Sequence, residues 1–454
     1  MTWVTDENVA LLIDLYELTM ADSYFRHGMN QECTFDLFVR DLPERRNFMV
    51  ACGLEQAIEY LEDLSFDDDS IEYLASLGRF SEEFLEYLRT MSFSGEVWAA
   101  PEGEIMFPQE PLMHVTASLI EAQIVETFLL NSVIFQTMIA SKAARVSIAC
   151  EVCQFVDFSP RRDHGADAAL KAARASYIAG AAATSNVLAG RIYGIPVTGT
   201  MAHSYIMAFD DEEEAFRTFA RDFPHHAVLL IDTFDVEEGA RRAARVGAEL
   251  AELESEGAAL RGVRIDSGDL DALSRSVRTI LDGAGLTEAT ISASGDLDEY
   301  RIKELVEAGA PIDSFGVGTQ LGTSGDAPWL GGVYKLVADS GQPRIKLSSG
   351  KVTVPGRKQV FRFPASGAPE HDVIALEDED VAGGRPLLER VMVAGRRVDD
   401  PERIDSMRER CLARVRELPE ALRSLDGSAE YQVRMSPGLH ALVEEARAMY
   451  APGT

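Results

Sequence analysis

The chain has 454 residues, 46% of them hydrophobic and 26% charged, which suits a globular protein of two or three domains and excludes a disordered chain. Its 43 Lys and Arg against 75 Asp and Glu leave a net charge of −32. That balance argues against nucleic acid and against an anionic membrane surface as partners, because Lys and Arg supply most of the attraction to both. The five scattered cysteines fit a reducing cytoplasm better than a disulfide framework. The first twenty residues carry no basic run ahead of their apolar positions, so no signal peptide is expected. No run of about 18 uncharged apolar residues reads as a membrane span, and a cytoplasmic location is expected.

Residues 1–137 read as an N-terminal α/β domain. Asp14 to Tyr24 suits a helix and residues 33–43 a strand, and residues 66–91 suit two acidic helices with apolar positions three and four apart. Residues 138–345 alternate short apolar runs with helical stretches such as 236–256. The runs are 154–158, 195–199, 227–232, 261–266, 289–293 and 313–317, and their alternation with helices predicts a parallel sheet. Cys150 and Cys153 fall at a helix-to-strand junction. A zinc ribbon would need a second such pair, and none exists. Residues 346–454 begin with a basic, hairpin-like segment and end in a helical tail. The basic segment carries Lys346, Lys351, Arg357, Lys358 and Arg362, a strip suited either to ATP or pyrophosphate or to guarding a solvated hairpin edge.

Polar residues collect where each run ends. The sequence after 154–158 is Ser159-Pro160-Arg161-Arg162-Asp163-His164-Gly165, and that after 195–199 is Thr200-Met201-Ala202-His203-Ser204. Arg264 and Asp266 close 261–266 ahead of Ser267-Gly268-Asp269, Ser294-Gly295-Asp296 follows 289–293, and Gly318-Thr319 follows 313–317. In a βα barrel these ends share the face that carries active sites; an open doubly wound sheet also gathers them at one edge. The number of strands and their short spacing favour the barrel. Backbone N–H groups around Gly295 and Gly318 suit a phosphate. Asp266, Asp269 and Asp296 suit ribose hydroxyls, Mg²⁺ or a developing positive charge, and Arg161, Arg162 and Arg264 suit phosphate or carboxylate. A phosphorylated sugar is the ligand this mixture predicts. The GxxxxGK[ST] phosphate loop, the GxSxG elbow and the HExxH zinc motif are all absent.

The chain resembles the nicotinate phosphoribosyltransferase family over nearly its whole length. The resemblance lies in residues 14–20 (DLYELTM), 101–115, 157–169 (DFSPRRDHGADAA), 184–204, 231–235 (IDTFD), 263–270 (VRIDSGDL), 292–299 (SASGDLDE), 314–321 (SFGVGTQL) and 351–360, in that order. It implies a type II phosphoribosyltransferase fold: an irregular α/β barrel with an N-terminal α/β domain that the C-terminal segment helps complete. It further implies a homodimer with shared active sites. Such an enzyme joins nicotinate to phosphoribosyl pyrophosphate, with Mg²⁺ on the pyrophosphate and coupled ATP hydrolysis. His203 resembles the family's phosphorylated histidine, and Asp266 and Asp296 its ribose-side carboxylates, either of which could reach the metal. Gly295, Ser267, Gly318 and Thr319 fall in or beside its phosphate-binding loops. Phe158 and, from the second subunit, Tyr16 would sandwich the pyridine ring, with Arg264 holding the base or its ribose neighbour and Arg161 on the phosphate side. Relatives that use nicotinamide place an acid near Ser185, so a serine there favours nicotinate. Phe158-Ser159-Pro160 departs from the family's commoner Phe-Gly-x. The alternatives are a nicotinamide or quinolinate phosphoribosyltransferase, or a silent nucleotide-binding homologue.

Overall fold

Six short strands form a parallel sheet in the middle of the chain: β1 (Gln154–Asp157), β2 (Ala183–Thr184), β3 (Ala227–Leu230), β4 (Leu260–Ile265), β5 (Thr290–Ala293) and β6 (Ser314–Val317). Their spatial order is β2-β1-β6-β5-β4-β3, and every pairing is parallel. The sheet curls into a half-barrel, as the α/β barrel expectation requires. Phe155, Val263, Ile265, Ile291, Ala293, Phe315 and Val317 are all buried. Such near-continuous apolar runs belong to strands covered on both faces. The helix Val236–Ala251 packs with a small-residue face of Gly239, Ala240, Ala243 and Gly247. A Cβ on Gly239 would lie 2.2 Å from the Ile231 carbonyl oxygen, so glycine lets the helix start close against the end of β3.

This computed structural model describes residues 4–251, 258–347, 353–365, 367–427 and 429–450. The chain divides into two units, Lys142–Pro328 with the parallel sheet and an outer unit of Met1–Ser141 with Trp329–Thr454. Two sequence expectations shift. The segment 195–199 is not a strand: Val197 forms a single bridge to Thr184, flanked by Pro196, whose nitrogen has no hydrogen to donate. The strand in that place is the two-residue β2. The barrel segment also ends before 345, because Gly332–Asp339 pairs antiparallel with Glu32–Val39 in the outer unit.

The outer unit carries a seven-stranded sheet in which Glu32–Val39 lies between Gly332–Asp339 and Pro111–Ser118. A four-stranded sheet includes Lys358–Ala365 and Ala368–Leu376. Helix Leu15–Arg26 follows Asp14, and helices Asp68–Ser76 and Glu82–Thr90 are capped by the side chains of Asp67 and Ser81. Helix Glu126–Cys150 is long and apolar enough to cross a membrane, but most of its apolar window is buried inside the protein. Near its end Lys142 and Arg145 make buried ion pairs with Glu299. The helix stops at Cys150, one turn before β1, and Cys153 donates to the Ile312 carbonyl oxygen at 3.2 Å. Burial pushes both thiols up, which disfavours the thiolate form.

Candidate active site

The carboxyl ends of the six strands carry the groups that the sequence singles out. β4 ends at Ile265, and Asp266 follows with its backbone N–H donating to Asp232 Oδ2 at 2.9 Å. Ser267 Oγ donates to the same oxygen at 2.6 Å. Asp232 follows β3 much as Asp266 follows β4, each after a buried isoleucine, Ile231 and Ile265. Sequence reasoning passed over Asp232, although the repeated Ile-Asp at successive strand ends was a usable signal. Asp266 Oδ1 accepts a hydrogen bond from Ser294 Oγ at the end of β5. The strand ends are thus cross-linked by carboxylates and hydroxyls.

His203 opens the short helix His203–Met207. Its Nε2 lies 3.9 Å from Asp232 Oδ1 and 3.9 Å from Asp266 Oδ2, and its Nδ1 is 3.1 Å from Thr233 Oγ1. Asp232 Oδ1 is buried and makes no hydrogen bond. A tautomer with its proton on Nε2 would face the two carboxylates and leave the Nδ1 lone pair to accept from the Thr233 hydroxyl. Arg264 braces the loop that delivers this histidine: Nη1 donates to Thr200 Oγ1 at 2.6 Å and Nη2 to the Met201 carbonyl oxygen at 2.9 Å. Its Nε is buried without a partner. Burial lowers the Arg264 pKa, Asp266 and Asp232 oppose that shift, and Arg161 adds to it, so Arg161 shares the same electrostatic site.

The Arg264 guanidinium lies 5.9 Å from the centre of the Phe158 ring. Gly316 is the reason the ring fits, because a Cβ there would come within 2.4 Å of Phe158 Cδ2. Ser159 to Arg162 forms a turn closed by Arg162 N–H donating to the Ser159 carbonyl oxygen at 2.7 Å, with Pro160 in the second position where its fixed φ is favoured. Arg161 and Arg162 are exposed on that turn. Ser185 is half-buried and its N–H donates to the Asp157 carbonyl oxygen at 2.9 Å. Its neighbours Thr184 and Asn186 are also uncharged, so no acid stands within one residue of the position.

Gly295 and Asp296 both have positive φ, +94° and +49°, and a Cβ on Gly295 would lie 1.9 Å from the Asp266 carbonyl oxygen. Asp296 is exposed at this tight turn, and a non-glycine residue is held there at some conformational cost. Thr319 is exposed at the start of the four-residue helix Thr319–Gly322, with Gly318 ahead of it. Asp269 is a different case: its side chain caps helix Leu270–Gly283 by accepting from Ala272 N–H, which explains its place without a ligand. Tyr16 belongs to the outer unit and is 45% exposed, so it remains free to stack on a ligand. Burial and the charges of Glu126 and Glu17 push its phenol up.

Among the described residues no group of three or more His, Cys, Asp and Glu forms a metal cage. The pair Asp232 and Asp266 suits a magnesium ion that brings most of its own ligands, as one bound to a substrate's pyrophosphate does. The basic strip is mostly consumed in ion pairs, unlike either a free anion-binding strip or a solvated hairpin edge. Lys358 is buried against Asp36 at 2.7 Å, Arg362 against Asp372 and Glu104, and Arg357 pairs with Glu96 and Glu377. Three of its cations are committed within the outer unit, Lys346 is exposed, and Lys351 lies outside the described residues.

The family models for nicotinate phosphoribosyltransferase match three parts of the chain: the N-terminal domain over residues 11–134, the family domain over 153–329 and the C-terminal domain over 382–443. Nicotinate phosphoribosyltransferase pncB2 of Mycobacterium tuberculosis is 48% identical over 429 residues, covering 94% of this chain and 91% of that protein. The nicotinate phosphoribosyltransferase of Bacillus subtilis is 46% identical over 388 residues, covering 83% and 78%. The crystal structure of human nicotinic acid phosphoribosyltransferase superposes with a TM-score of 0.85 at 30% identity, covering 95% of this chain and 99% of that one.

Proposed function

The chain belongs to the nicotinate phosphoribosyltransferase family, and from that premise we propose that its rim joins nicotinate to phosphoribosyl pyrophosphate, releasing pyrophosphate and nicotinate mononucleotide. The enzyme acts in NAD salvage. The observation that carries the reading is the meeting of His203, Asp232 and Asp266 at adjacent strand ends in the same unit as the Phe158 ring seated on Gly316 under Arg264. The pyridine nitrogen of nicotinate has a free lone pair at neutral pH, so the attack on the ribose carbon needs no general base. The bond to pyrophosphate breaks as the new carbon–nitrogen bond forms, and positive charge gathers on the ribose. Asp266, with Asp296 exposed on the neighbouring turn, stabilises that charge and holds ribose hydroxyls. The N–H groups at Gly295, Gly318 and Thr319 and the side chains of Ser267 and Arg161 take the phosphates. Asp266, with Asp232, would hold a Mg²⁺ that arrives on the pyrophosphate, and the ion would supply charge neutralisation for the leaving group.

Phe158 and the partner's Tyr16 sandwich the ring, which makes the working unit a homodimer. The exposed Val187, Leu188 and Ile192 on helix Val187–Tyr193 support a buried subunit contact. The uncharged stretch Thr184-Ser185-Asn186 favours the nicotinate carboxylate over nicotinamide, since an acid there would repel it. ATP transfers its γ-phosphoryl group to His203 Nδ1, releasing ADP, and hydrolysis of the phosphohistidine drives turnover. A cytoplasmic location suits the five cysteines, all of them free. The test is pyrophosphate release from phosphoribosyl pyrophosphate and Mg²⁺ with nicotinate, nicotinamide or quinolinate, each with and without ATP. Release with nicotinate alone, stimulated by ATP and unstimulated in His203→Ala, is expected. Release with nicotinamide would overturn the specificity argument, and release with none would favour a nucleotide-binding module.

A further inference from the structure

We infer that Asp163 is a positioning residue that clasps the Arg161–Arg162 turn to the loop after β6, and so aims the phosphate-binding cations of the rim. The inference rests on the phosphoribosyl pyrophosphate reading of that rim. A buried relay runs beneath the site. Thr184 Oγ1 donates to Asp157 Oδ2 at 2.7 Å, and Asp157 Oδ1 accepts from Ser159 N–H at 2.9 Å. Ser159, itself fully buried, donates from Oγ to Asp163 Oδ2 at 3.0 Å. The other oxygen, Asp163 Oδ1, is buried with no hydrogen-bond partner. It rests on the backbone of Gly322: a Cβ on that glycine would lie 1.8 Å from Oδ1 and 2.5 Å from Ser159 Cβ.

Hydrogen bonds therefore join the ends of β2 and β1, which deliver Ser185 and Phe158, to the turn, and Asp163 packs on Gly322 at the end of the short helix that Gly318-Thr319 begin after β6. The turn is closed on itself by the Arg162 and Asp163 N–H groups donating to the Ser159 carbonyl oxygen, while the side chains of Arg161, Arg162 and His164 are exposed, so Asp163 is the side chain of the turn that reaches inward. An aspartate packed with one oxygen against a glycine and without a hydrogen bond there is not placed as a solvated surface charge. Burial, and then the charge of Asp157, pushes its carboxyl up to about 6, which is a standing cost at neutral pH. That cost is offset if the clasp fixes the turn for a ligand that pays in binding energy.

The test compares Asp163→Ala with Asp163→Asn, which keeps the shape and can still accept from Ser159. With saturating nicotinate, Asp163→Ala is expected to raise KM for phosphoribosyl pyrophosphate about tenfold, with kcat changed less than about threefold and KM for nicotinate unchanged. Asp163→Asn is expected to restore KM to within about twofold of the unsubstituted enzyme. Amide hydrogen exchange should quicken in residues 160–165 and 318–323 of Asp163→Ala, and stay slow in Asp163→Asn. Unchanged KM and exchange in Asp163→Ala, or damage in Asp163→Asn equal to that in Asp163→Ala, would overturn the clasp. If the unsubstituted enzyme releases no pyrophosphate, the reaction assignment fails, while the exchange comparison still decides whether Asp163 holds the turn.

Discussion

Arg362 in the outer unit and Arg264 at the rim are both buried arginines with carboxylates nearby, and they are used in opposite ways. Arg362 donates to both oxygens of Asp372 and to Glu104, and its guanidinium stacks over Phe107 at 5.3 Å and Tyr431 at 6.0 Å. Burial works to lower its pKa, but the hydrogen bonds and charge of Asp372, with Glu110 and Glu104, outweigh that and raise it. Arg264 has spent two donors on a loop, keeps one buried donor free, and has its pKa lowered by burial. Around it, Asp232 keeps an oxygen without a hydrogen bond, and His203 and Asp266 are each 39% exposed. A closed network holds the chain together, while an open one leaves donors and acceptors that a ligand can complete. Charge density alone does not tell the two apart.

Three substitutions sharpen that contrast. Arg362→Met leaves Asp372 buried without its cation, while Glu104 keeps Arg385 and Arg414, and breaking such a buried pair typically costs about 3–5 kcal/mol. Chemical denaturation should register that loss, whereas KM for phosphoribosyl pyrophosphate in the folded fraction should be unchanged. A raised KM would place the strip at the substrate after all. Phe158→Ala should behave in reverse: losing ring stacking worth ~0.5–1.5 kcal/mol raises KM for nicotinate about two- to tenfold, with a smaller loss of stability than Arg362→Met. A KM for nicotinate that does not move would remove Phe158 from the base site.

The third effect is the smallest and depends on pH. Glu17 is buried beside Tyr16, accepts from Thr127 Oγ1, and is pushed up to about 8 by burial and by Glu126. A raised pKa gives stability that is full below the unfolded value of about 4.5 and is lost as pH rises through about 8. Melting temperature should therefore fall between pH 5 and 8.5 more steeply in the unsubstituted protein than in Glu17→Gln. Parallel curves would mean that Glu17 is already ionised at pH 5.

The catalytic sheet was legible because its signals are local. Most strands are short apolar runs with polar residues adjacent in sequence at their ends, so the sequence already places Asp266 and Arg264 at the rim, while His203 follows a segment that is not a strand. Asp269 was legible as a rim residue but not as a helix cap, since Asp-x-x at a helix start serves both uses. β2 was missed because it is two residues long at the end of an alanine run. The basic strip was misjudged because the acids that absorb it, Asp36, Glu104, Asp372 and Glu96, are mostly far away in sequence. Asp232 was missed for a simpler reason: its hydrogen bonds to residues 266 and 267 cross two strands, and only the repeated Ile-Asp hinted at the pairing.

Hydrogen exchange of the unsubstituted protein, with and without phosphoribosyl pyrophosphate, Mg²⁺ and nicotinate, tests the central assignment without depending on turnover. The account predicts new protection in residues 158–165, 200–204, 264–269, 294–296 and 316–320, and none in 353–365. Protection confined to the strip at 346–365, with the strand ends unchanged, would contradict it.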